Sequence, residues 1–159
     1  MPDSQAQQFG SQIASLQPRK IGAIALFYPI LEALGLRDSV TALVPSEADV
    51  DLGQVVILLV LNRLLDPQPL YQVGSWFGET VLPEVLAVPA AKVYANRLGR
   101  ALEQLHPYWG ELWARTVSRA MQTYALDLSV LHWDITSLYF EGAYTDSELI
   151  EYGYSRDHR

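Results

Sequence analysis

The sequence predicts a mainly α protein: a helical N-terminal domain over residues 19–126, then the opening strands of a different domain over 127–159. Two observations carry this. Up to Leu126, apolar residues recur at helical spacing between residues that cap or break helices. Beyond it the chain turns to Val, Ile, Thr, Leu and aromatics, which favour extended structure. Half of the 159 residues are apolar and 18% are charged, so a core is available and global disorder is not expected.

Residues 1–18 are polar, rich in Gln and Ser and without periodicity, and read as a loose arm. Pro29 suits a first-turn position and Gly35 a C-terminal cap, bracketing a short helix with Ile30, Leu31 and Leu34 inward. Asp51 and Gln54 have capping-box spacing and open a helix that runs to Leu65, where Asp66-Pro67 stops it. That helix is apolar almost all round, which places it at the centre of the helical unit. Leu70, Val73 and Phe77 share one face of the next short helix, and residues 81–89 read as an irregular connection.

Asn96 is placed to cap a helix with Leu98, Leu102 and Leu105 inward. Pro107 opens a longer one. Its stripe of Trp109, Leu112, Trp113, Val117, Ala120, Met121 and Tyr124 is expected to face the core. Glu111, Arg115, Ser118, Arg119 and Gln122 form the outer face, with Glu111 and Arg115 set for an i,i+4 pair. Residues 129–140 read as a strand, Gly142 and Thr145-Asp146-Ser147 as a turn, and residues 150–154 as a second strand. Two strands alone are marginal in water, so this end of the chain reads as physically unfinished.

A net charge of −7 argues against a protein that holds nucleic acid over its whole surface, although the sum leaves room for a local basic patch. The absence of cysteine excludes disulfides and thiolate metal sites and fits a cytoplasmic protein. Ile21 to Leu31, behind Arg19 and Lys20, mimics a signal-peptide core. Asp3, a Gln-rich opening and the lack of a small-residue cleavage site speak against that. Val55 to Leu61 is far shorter than the roughly 20 residues of a membrane span. Both runs are expected as buried helices, with no membrane partner.

The chemistry centres on Asp134. In a strand, His132, Asp134 and Thr136 share one face, and a carboxylate in such an apolar run is costly to bury unless paired, capped or metal-bound. Read alone, Asp134 is a strand-end residue bonded to a neighbouring turn, and His132 a half-buried strand residue.

The run from Asp134 to Gly142, D-x-T-S-x-x-F-E-G, is followed by G-Y-S-R-D-H-R from Gly153 to Arg159. The pair resembles the first catalytic block of bacterial insertion-sequence transposases of the DDE type. Arg97 to Leu102, R-L-G-R-A-L, and the Leu-Gly-Gln block at 52–54 are similar to the helical N-terminal region of the same lineage. Ala95 and Asn96 stand where that family often has acidic residues. The resemblance implies a ribonuclease-H-like α/β catalytic domain opening in residues 127–159, with Asp134 ending its first strand as the first of three catalytic carboxylates. It also implies Mg²⁺ as cofactor with Asp134 as the bridging metal ligand, and two-metal phosphodiester displacement in DNA transposition. DNA element ends would be the partner, in a homodimer or with full-length transposase, in a bacterial cytoplasm and at the nucleoid when DNA-bound. Arg97, Arg100, Arg156, His158 and Arg159 are the candidate DNA contacts.

The second and third carboxylates are not evident in these 159 residues. Glu141, seven residues and about 23 Å of extended chain beyond Asp134, would face the other side of the strand, and Asp157 lies in the tail. The expectation is a truncated N-terminal portion of a transposase, inactive as an isolated polypeptide. The alternative is a non-catalytic module that binds element ends or pairs with full-length transposase.

Overall fold

The structure is a computed structural model that describes residues 18–127 and 129. The chain divides into two compact units, 1–126 and 127–159. The expected strands at 129–140 and 150–154, and nearly all of the arm at 1–18, lie outside the described residues.

The described residues are mainly helical and hold no strand. In chain order they form α1 (Ile24–Ala33), α2 (Leu36–Leu43), α3 (Leu52–Leu65), α4 (Leu70–Glu79) and the single turn α5 (Leu82–Val85). A 3-10 turn (Ala90–Lys92), α6 (Ala95–Leu105), a second 3-10 turn (His106–Tyr108) and α7 (Trp109–Tyr124) follow. The only extended pairing among them is one bridge between Lys20 and Thr80, made by Lys20 N–H donating to Glu79 O (2.9 Å) and Val81 N–H to Lys20 O (3.1 Å).

The nearly uniform apolar surface of α3 has the predicted consequence: it is central and packs against α1, α2, α4 and α6. Ile57, Leu58 and Leu61 are fully buried along it, and Val40, Val73, Phe77, Leu82 and Leu98 close over them from the neighbouring helices. Each such aliphatic or aromatic side chain contributes about 1.5–3 kcal/mol by leaving water.

Both ends of α3 are fastened by polar side chains. Asp51 Oδ1 accepts from Gln54 N–H (3.0 Å), as the spacing predicts, and the same carboxylate takes Arg37 Nε (3.1 Å) and Thr41 Oγ1 (3.1 Å) from α2. The reciprocal half of the capping box is absent. Gln54 sends its amide to Leu86 O (2.6 Å), where it satisfies a carbonyl of the 81–89 connection. At the far end Asn62, buried, donates to Asp66 O (2.9 Å) and accepts from Gln68 N–H (3.2 Å), holding the chain as it turns away.

Three local expectations are corrected. Pro29 sits inside α1 rather than in its first turn, because the turn at Gly22 (φ 43°) and the Ile24 N–H to Ile21 O bond start the helix earlier. Pro29 lies on the exposed side, where its ring meets water. Asn96 is not a cap: the helix begins at Ala95, with Tyr94 in the capping position and no side-chain cap bond. On α6 the inward residues are Leu98, Ala101 and Leu105, while Leu102 is exposed. Gly35 does adopt the left-handed conformation (φ 61°) that closes α1, and the same residue opens α2, a helix the sequence reading did not anticipate.

Two glycines mark close approaches. A Cβ on Gly53 would lie 2.6 Å from Arg37 O, and one on Gly74 would run into Val93 O. Gly53→Ala and Gly74→Ala should each cost about 1–3 kcal/mol and lower the thermal midpoint by several degrees. Gly99→Ala, whose Cβ would meet nothing within 4 Å, should instead stabilise α6 by about 0.5–1 kcal/mol. Thermal unfolding followed by circular dichroism reads all three; equal midpoints would refute the assignment of close contacts.

Candidate nucleic-acid interface

Charge is unevenly spread along the described chain. From residue 18 to 91, eight acidic side chains stand against four basic ones. From Lys92 to Tyr124 the balance reverses: Lys92, Arg97, Arg100, Arg115 and Arg119 face only Glu103 and Glu111. The helices nearest the Asp134 motif in sequence are therefore the basic ones, and the overall −7 hides this.

The predicted DNA-contacting residues of α6 occupy different settings. Arg97 Nη1 donates to Asp49 Oδ1 at 2.5 Å, and its guanidinium lies 5.3 Å from the centre of the Tyr94 ring. Its side chain is only 19% exposed, and its Nε is buried without a hydrogen-bond partner. Lys92 Nζ meets the other Asp49 oxygen at 2.9 Å. Asp49 thus holds Lys92 from the turn before α6 and Arg97 from the first turn of α6, and its carboxyl is pulled down to about 2, first by the Arg97 hydrogen bond and then by that of Lys92. Arg97 is raised in turn by Asp49.

Arg100, one turn along, is exposed and makes no ion pair among the described residues. It borders a cleft of about 370 Å³ between α6 and the 46–50 loop, whose rim includes Tyr94, Arg97 and Gln104 on one side and Glu47 and Asp49 on the other. The cleft has mixed charge. Arg100 is the residue there best placed for a phosphate, while Arg97 is engaged in holding the loop.

On α7, Glu111 and Arg115 form the expected i,i+4 pair at 2.7 Å. The expected facing of the helix holds in part: Leu112 is buried and Glu111, Arg115, Ser118, Arg119 and Gln122 are exposed, but the two tryptophans and Tyr124 of the inner stripe are exposed as well. Arg115, Ser118, Arg119 and Gln122, read as the outer face, line a cleft of about 460 Å³ against Asp38 and Ser39. Trp109, Trp113 and Tyr124, read as core, are exposed, and among the described residues of α7 only Leu112 is buried. α2 presents Asp38 and Ser39 on the side where α7 packs, a polar surface that gives the apolar stripe of α7 little to bury against.

Asp134, Arg156, His158 and Arg159, with His132, Glu141 and Asp157, lie outside the described residues. Among the described residues there is no group of three or more His, Asp or Glu side chains that could hold a metal ion, and no helix long and apolar enough to cross a membrane. The Asp49 pairing, 48 residues from Arg97, had no local signal; the Tyr94–Arg97 stacking, at i,i+3, was legible in spacing alone. Comparisons with family models, with curated proteins and with solved structures returned no match to this chain.

The Asp49 pairing gives a pH signature. Its carboxyl is depressed in the fold and ordinary in the unfolded chain, so the pairing stabilises above about pH 4 and is lost as pH falls towards 2. Because Asp49 is exposed, the effect is small and weakened by salt. Asp49→Asn should flatten the fall of the thermal midpoint across that window relative to the unsubstituted chain; parallel curves would show that the pairing contributes nothing.

Proposed function

We propose that this chain belongs to DNA transposition of the DDE type, with Asp134 as the first metal-binding carboxylate of a ribonuclease-H-like domain and the helical unit as the part that recognises element ends. The observation that carries the reading is the motif pair at 134–142 and 153–159, in which an Asp among β-branched and aromatic residues is followed by a Gly-Tyr-Ser-Arg-Asp-His-Arg segment. Support for the recognition role comes from the basic balance of residues 92–124 and from Arg100, exposed beside the cleft of α6.

The reaction would be metal-assisted displacement at a phosphodiester, with Mg²⁺ supplied by a bacterial cytoplasm. Asp134 would bind the metal, and Arg156, His158 and Arg159 would approach the DNA backbone. The metal chemistry requires further carboxylates, which Glu141 and Asp157 are poorly spaced to supply. The activity of these 159 residues by themselves is therefore proposed to be binding rather than strand transfer.

Gel shifts with duplexes carrying the inverted repeats that flank the encoding gene test this reading. Binding should be salt-sensitive, and Arg100→Ala should weaken it for every sequence, with a reduced salt slope. No shift even at low salt would remove the recognition role. In a supercoiled-plasmid assay with Mg²⁺ the polypeptide should not nick; nicking that disappears in Asp134→Ala would show that it carries a complete site.

A further inference from the structure

The cleft beside α6 has one wall built from a segment that very little holds in place. Residues 45–49 are exposed throughout, between the buried Val44 and Val50. Among the described residues, the one hydrogen bond within this segment is Ala48 N–H donating to Ser46 Oγ (3.3 Å). Its only polar links to the rest of the described chain are those of the Asp49 carboxylate to Lys92 and Arg97. A stretch with so few backbone bonds and no buried side chain opens locally with ease. Its closed position depends on one carboxylate.

What that carboxylate meets is a cationic surface. Arg97 and Arg100 lie at i,i+3 on α6 and both line the cleft, with Gln104 one turn further. Asp49 takes Nη1 of Arg97 and Nζ of Lys92, while Arg97 Nε is buried and has no partner. The closed segment therefore satisfies Arg97 incompletely, and a buried donor left unpaired opposes closure. Asp49 itself is 55% exposed, a setting in which ion pairs are weak and yield to competing ions.

We propose that Lys92, Arg97 and Arg100 form a phosphate-binding site that Asp49 occupies as an internal anion, so that phosphate and the 45–49 segment compete for the same cations. Asp49 joins the first two of these cations, and the cleft joins the last two. A phosphate group brings more acceptor oxygens and more charge than a carboxylate, and a guanidinium pairs with either in the same forked geometry. Asp49 offsets that advantage by being tethered, which gives it a high effective concentration. The latch makes the site selective: a phosphate that reaches all three cations displaces Asp49, and an anion that reaches one does not. The inference rests on the reading that α6 meets phosphate and adds its control by the chain's own carboxylate. The phosphate belongs either to a DNA backbone or to a free phosphate compound.

Sodium pyrophosphate, titrated calorimetrically into the full chain, tests the site without DNA. Asp49→Asn should bind it about tenfold more tightly than the unsubstituted chain, and adding Arg97→Gln should abolish the gain. Glu47→Gln removes the same charge from the same segment but breaks no ion pair among the described residues, so it should change the affinity less than about twofold. Cleavage after Glu47 by a glutamate-specific protease, followed by mass spectrometry, should quicken when pyrophosphate is added to the unsubstituted chain. It should already be quick in Asp49→Asn. Equal gains from Asp49→Asn and Glu47→Gln, no gain from either, or cleavage that pyrophosphate fails to quicken would overturn the proposal. Gel shifts separate the two sources of phosphate. A duplex that gains with Asp49→Asn as pyrophosphate does would identify the DNA backbone as the ligand. A pyrophosphate gain without any duplex shift would leave the latch standing and remove the recognition role, whereas a duplex shift without a pyrophosphate gain would remove the latch alone.

Discussion

The burial of α3 is the constraint on which the described fold depends. A fourteen-residue helix that is apolar on nearly every side must bury most of its surface, so the other helices gather around it and leave only Arg63 and Leu64 at its end exposed. Surrounding it creates a second problem, since its ends carry backbone groups that packing alone leaves without partners. Asp51 solves this at the start and Asn62 at the end. Asp51 also reaches Arg37 and Thr41, so one carboxylate caps α3 and ties it to α2. Gly53 belongs to the same arrangement: without a side chain there, the α2 backbone can approach the first turn of α3.

Electrostatics then divides the molecule along its sequence. Within residues 18–124 acidic side chains predominate before Lys92 and basic ones from Lys92 on, and the Asp49 contacts with Lys92 and Arg97 join the two regions. That junction occupies Arg97 and leaves Arg100 exposed, so two arginines in one six-residue motif have different work. One positions a loop. The other is available to a ligand.

Legibility in the sequence followed the strength of the local signal. α3 was readable because an uninterrupted apolar run, an Asp N-cap and an Asp-Pro stop all agree. The buried positions of α4 were readable from Val73 and Phe77 at i,i+4. α2 was missed because it is short and half polar, between Gly35 and Pro45, and its Leu36–Val40 spacing alone is a weak helical signal. The facing of α7 was misread in part, for a different reason. Periodicity identifies which residues share a face, but only tertiary packing decides how much of it is covered, and α7 buries Leu112 while Trp109, Trp113 and Tyr124 of the same stripe stay exposed. Of the candidate site, the R-L-G-R-A-L run nominated Arg97 and Arg100 only by resemblance, and their different settings depend on Asp49, which is remote in sequence.

All of the buried core among the described residues lies at or before Leu112. Synthesis of the 47 residues that follow it occupies a few seconds at about 5–20 residues per second, whereas helical units built from near-neighbour contacts fold in microseconds to milliseconds. The order of residues along the chain therefore acts as a schedule during translation. The helical unit can close around α3 while the residues after Leu112 are still being made, and the nascent chain carries a formed core through the rest of its synthesis.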